Sequence, residues 1–118
     1  MSNEMLPEMT RELAAKRREL APETMEAWRQ FGQAVFKDGA LPSVTKELIA
    51  VAVAHTTQCA YCIKGHTKAA LRKGATEEQL MEAIWVAAEM RAGGAYAHSA
   101  VALQEMVNHA HEADKQAT

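Results

Sequence analysis

The sequence predicts an all-α protein of about six helices, an expectation that rests on three observations. Alanine, which costs least of all residues in a helix, is abundant. Aromatic residues make up only 5% of the chain. No run of Val, Ile and Thr alternates as a half-buried strand would. At 118 residues the chain is long enough for one domain with a core, expected over 1–118, and small enough to gain much from oligomerisation.

Taken in order, Pro7 suits a first helical turn ahead of EMTRELAAKRREL, since its missing N–H costs nothing there. A second helix follows in APETMEAWRQFGQAVF, with Pro22 and Glu23 at its start and Met25, Trp28, Phe31, Val35 and Phe36 at helical spacing. KDGALP breaks the pattern. LPSVTKELIAVAVAHTT then reads as a helix whose middle is apolar all round, as in a buried helix. CIKGHTKAALRK is a helix ending at Gly74, a left-handed C-terminal cap. Thr76 and Gln79 form a capping box for TEEQLMEAIWVAAEMR. Gly93 and Gly94 are expected to separate that helix from a last one, AYAHSAVALQEMVNHAHEA, which should fray towards DKQAT.

Bulk properties exclude several functions. The formal charge of −2 gives no basic surplus for a nucleic-acid partner. No apolar run is long enough to span a bilayer. MSNEMLPEMTREL lacks the basic and apolar regions of a signal peptide, so a cytoplasmic chain is expected. In that reducing compartment two cysteines point to catalysis, redox activity or metal binding before a structural staple.

Those two cysteines fall together in HTTQCAYCIKGH, residues 55–66. Zinc is one reading, with His55, Cys59, Cys62 and His66 as ligands. On a continuous helix, however, eleven residues at about 1.5 Å each set the end ligands roughly 16 Å apart. Zinc bonds are about 2.0–2.3 Å, so one ion needs a chain break to reach all four. Inert packing of buried cysteines is a second reading, and it leaves the paired spacing and His66 unexplained.

Redox chemistry is the third reading and ranks first. The CxxC follows the apolar helix and starts the next one, where unsatisfied N–H groups and the positive dipole end favour thiolate. His66 lies four residues beyond Cys62 on the same face, and helical side chains lean towards the N-terminus, so its imidazole points back over that thiol. Cys59, one turn earlier, is within range to close a disulfide. Glu47 is a lone acid at the start of an apolar helix. A helical hairpin reversing near Gln58 sets it within a turn of His66, giving a relay of Glu47, His66, Cys62 and Cys59. Other residues have plainer readings. Trp28, Trp85 and the methionines read as core or subunit contact, His109 and His111 as exposed terminal residues. His98 and Ser99, being neighbours in a helix, point in different directions.

At this point the chain resembles the alkylhydroperoxidase D-like (AhpD-like) branch of the carboxymuconolactone decarboxylase superfamily. ELIAVAVAHTTQCAYCIKGH carries Glu47, Cys59, Cys62 and His66 at that branch's spacing, and the resemblance is strongest over residues 25–108. It implies a helical bundle around a central hairpin, assembled as a homotrimer or homohexamer. It also implies reduction of a small hydroperoxide with no bound cofactor, and a Cys59–Cys62 disulfide recycled by a thiol or dithiol reductant. Cys62 would attack peroxide, Cys59 would resolve, and Glu47 and His66 would relay protons. Tyr61 departs from members that carry histidine between the cysteines, and the motif does not require His55. Members that decarboxylate lactones generally lack the cysteine pair. A disulfide oxidoreductase and a non-enzymatic oligomeric redox sensor remain alternatives on the same residues.

Overall fold

The computed structural model describes residues 6–117, and the sequence expectation for the leading segment MSNEM therefore lies outside the described residues. Among the described residues the regular elements are helices: α1 (Arg11–Leu20), α2 (Pro22–Phe36), α3 (Ser43–Thr57), α4 (Ala60–Arg72) and α5 (Glu77–Ala117). The chain divides into two compact units between Ala40 and Leu41.

In the first unit, α1 begins later than Pro7 suggested. Thr10 is its N-cap, and its hydroxyl accepts from the Leu13 N–H at 3.2 Å. A hydroxyl cap satisfies an orphan donor, which a proline cannot do, so the helix starts where that cap is available. Pro22 occupies the first turn of α2 as expected. On the exposed face of α2 the Arg29 guanidinium donates to both carboxylate oxygens of Glu26, holding that carboxyl below its ordinary value.

The second unit is built on the α3–α4 hairpin with α5 packed against it. Val51 and Ala70 are fully buried where the two hairpin arms meet, and Ala75 and Leu80 extend this core, with Val44, Leu48 and Ile84 around it. Gly74 ends α4 at φ +101°, a conformation that disfavours any Cβ, and the Ala75 N–H returns to the Ala70 carbonyl at 2.9 Å. The capping box then opens α5. The Gln79 N–H donates to the Thr76 hydroxyl at 3.1 Å, and the Gln79 side-chain oxygen accepts from the Thr76 N–H at 2.9 Å.

Three expectations are corrected here. Gly93 and Gly94 do not divide the C-terminal segment. α5 runs through them for 41 residues, and DKQA stays helical. An interior glycine costs only about 1 kcal/mol relative to alanine, which the long alanine-rich flanks offset. Nor is α3 buried on every side, because Ile49 and Val53 are about half exposed while Val51 and Ala54 are buried. Of the two readings of Trp28 and Trp85, core and subunit contact, the first does not hold, the two side chains being 64% and 66% exposed.

Candidate active site

The site sits where α3 hands over to α4. Gln58 takes a left-handed conformation (φ 58°, ψ 42°), and both its N–H and that of Cys59 return to the Ala54 carbonyl. This closes the last turn of α3 and reverses the chain in a single step. Cys59 therefore ends one helix and caps the next. Its sulfur accepts the Cys62 N–H at 3.2 Å, filling the N-cap role of α4. The two cysteines are joined as a disulfide with their Cα atoms 5.2 Å apart. Both are half-buried, within reach of solvent.

His66 lies one turn past Cys62 on the same stripe of α4, also half-buried. Its Nδ1 is 2.8 Å from Glu47 Oε2 across the hairpin. Glu47 is the one buried charged residue among those described, its side chain 4% exposed. A carboxylate can only accept, so this contact places a proton on Nδ1 of the imidazole.

Two residues that sequence reasoning did not single out complete the acid's surroundings. Lys73 Nζ donates to Glu47 Oε1 at 3.1 Å and to the Ser43 hydroxyl at 2.7 Å. The spacing carried the signal: Lys73 is seven residues, two turns, beyond His66, and Ser43 is one turn before Glu47. From α5, Arg91 Nη1 donates to the Thr56 carbonyl at 3.0 Å, tying down the end of α3 just before the CxxC turn.

The structure also places the remaining candidates. His55 turns its Nδ1 to the Val51 carbonyl at 2.7 Å, within its own helix. Tyr61 is exposed on the first turn of α4. His98 lies on exposed α5 with Nδ1 3.0 Å from the Gly94 carbonyl, far along the chain from the hairpin turn. His109 and His111 are exposed, as expected. Among the described residues no three His, Cys, Asp or Glu side chains converge as a metal site requires, so the four residues of the zinc reading do not form one.

The model of the carboxymuconolactone decarboxylase family fits residues 22–105. The chain belongs to that family. Over 78 residues it is 65% identical to a Paracoccus denitrificans protein described as uncharacterized protein 4 in cox locus, covering 66% of this chain and 70% of that one. An uncharacterized Cupriavidus necator protein is 44% identical over 89 residues, covering 74% of this chain and 79% of the relative. Among solved structures, an apo carboxymuconolactone decarboxylase family protein from Legionella pneumophila matches with a TM-score of 0.63 at 43% identity, over 65% of this chain and 69% of that one. A Methanobacterium thermoautotrophicum protein matches with a TM-score of 0.66 at 38% identity, over 70% of this chain and 93% of that one. The all-helical fold with its central hairpin is the family's fold.

Proposed function

We propose that this carboxymuconolactone decarboxylase family protein is a thiol-dependent hydroperoxide reductase of the alkylhydroperoxidase D-like type. The observation that carries the reading is the Glu47–His66 contact at 2.8 Å across the hairpin, with His66 one turn past Cys62 on α4. Each thiol has its own activating group. His66 Nε2 takes the proton of Cys62, and the helix N-terminus, through the Cys62 N–H, favours the thiolate of Cys59.

The chemistry balances without a bound cofactor. The Cys62 thiolate attacks the peroxide oxygen, the O–O bond breaks, and the alcohol leaves with the proton returned by His66. Cys62 is then a sulfenic acid, two electrons oxidised. The Cys59 thiol ionises and attacks the Cys62 sulfur, the S–O bond breaks as the disulfide forms, and the departing hydroxide takes up the Cys59 proton to leave as water. A small thiol or dithiol reductant supplies two electrons and two protons to restore both thiols.

A second reading has its own support. Cys59 at the N-cap is also the position from which a thiolate attacks a disulfide, so a protein or small-molecule disulfide oxidoreductase uses the same residues on another electrophile. Rates on peroxides against rates on disulfide substrates separate the two. The oligomeric redox sensor predicts negligible turnover and a change of native mass on oxidation. Lactone decarboxylation would survive loss of both cysteines.

Self-association into a homotrimer or homohexamer belongs to the same proposal. Trp85, Val86, Met90, Tyr96, Val101 and Met106 along α5 are each at least 60% exposed, an apolar load that a second copy of the chain would cover. No helix among the described residues is long and apolar enough to cross a membrane.

Peroxide consumption with a dithiol reductant tests the function, using wild type, Cys62→Ser and His66→Ala. Turnover should vanish in the first variant and fall about 10²–10⁴-fold in the second. Undiminished turnover in Cys62→Ser rules the mechanism out.

A further inference from the structure

Lys73 reaches Glu47 across the hairpin, and the thiol chemistry above gives it no role. A lysine at the end of α4 could serve the helix dipole without leaving its own helix. Instead its ammonium group donates to two side chains of α3, Glu47 Oε1 at 3.1 Å and Ser43 Oγ at 2.7 Å. Glu47 is thus held by both oxygens, one by Lys73 and one by His66.

The two partners are not equivalent. A carboxylate with a side chain only 4% exposed demands a counter-charge. With His66 as its sole partner, that demand is met by protonating the imidazole, because an opposite charge within hydrogen-bonding range favours the charged form. A doubly protonated imidazole has no lone pair with which to accept a thiol proton. Lysine meets the demand with its ammonium group, and at 37% side-chain exposure that head group keeps part of its hydration. On α3, Ser43 also meets the Lys73 ammonium group. Arg91 of α5 makes its contact at the far end of α3, on the Thr56 carbonyl.

We propose that Lys73 is a positioning residue acting through Glu47: it supplies the carboxylate's counter-charge, so that His66 is kept as an uncharged Nδ1–H imidazole with its lone pair on Nε2. Ser43 holds the ammonium group in place for this. The inference rests on the relay reading of the site, but its test reads the imidazole itself and not turnover.

The experiment is nitrogen NMR of the reduced, full-length protein labelled at histidine, at neutral pH, in wild type, Lys73→Met, Lys73→Gln and Lys73→Arg. In wild type the His66 signals should show one protonated nitrogen and one bearing a lone pair. In both neutral variants the doubly protonated fraction should rise roughly tenfold or more, and arginine should restore the wild-type pattern. His55, bonded within its own helix, is the internal control and should not move. An unchanged His66 spectrum in the neutral variants overturns the proposal. So does an arginine variant that behaves like methionine, or a shift of His55 alongside His66, which marks general loosening. A wild-type protein without peroxide turnover would refute the proposed function and leave this outcome readable.

Discussion

Replacing Glu47 with glutamine changes the charge of the site while keeping its shape. The carboxylate receives two charge-assisted hydrogen bonds, from His66 and from Lys73. Such bonds contribute about 1.5–3 kcal/mol each, against about 1 kcal/mol between neutral groups. Glutamine can still accept through one oxygen, and Lys73, at 37% exposure, can turn to water. The net loss of stability should therefore be about 2 kcal/mol, read by urea unfolding at fixed protein concentration so that assembly does not shift the midpoint. Activity should suffer more. An amide presents either an oxygen or an NH2 to the ring and no longer specifies which imidazole nitrogen carries the proton. If orientation of His66 accounts for most of its value as a base, kcat/KM for an organic hydroperoxide should fall about 10²–10⁴-fold. A folded Glu47→Gln protein with kcat/KM within about threefold of wild type would refute the reasoning, because the acid would then be a structural residue only.

Gly74→Ala should destabilise by about 1–2 kcal/mol in thermal unfolding, because the backbone is at φ +101° while the space around it is open, leaving strain as the whole effect. Gly94→Ala should do the opposite and stabilise by about 0.5–1 kcal/mol in the same assay, since it lies inside α5 with nothing within 4 Å of an added Cβ. Val51→Ala removes two fully buried carbon atoms, and chemical denaturation should register a loss of about 2 kcal/mol or more. Met90→Lys places a charge on the exposed apolar face of α5, and native mass spectrometry should show the assembly shifted towards smaller species while helix content is unchanged.

How much of this was legible in the sequence depended on the range of the interaction involved. Caps are local, so the Thr76–Gln79 box and the Gly74 stop could be read from a few adjacent residues. The Glu47–His66 contact spans nineteen residues, yet it followed from helical periodicity and the assumption of a tight reversal at Gln58. Lys73 was missed because lysine at a helix end has an ordinary explanation, and only the opposed acid shows that it serves another helix. The Gly93–Gly94 pair misled for a related reason. Glycine propensity is a weak term, and the helical residues on both sides outweigh it. The exposed apolar residues of α5 follow no rule of a single chain's core. The proposed self-association would cover them.

The proposed function makes Cys59 and Cys62 a peroxide-driven redox pair served by His66 and Glu47. Its most direct test is thiol mass spectrometry of the reduced protein before and after one equivalent of an organic hydroperoxide. The expected result is loss of two hydrogens per chain, mapped to a Cys59–Cys62 disulfide, with Cys62→Ser leaving Cys59 free and His66→Ala slowing the conversion. Thiols that remain free in the wild type, or a Cys59 oxidised at the wild-type rate when Cys62 is serine, would contradict it.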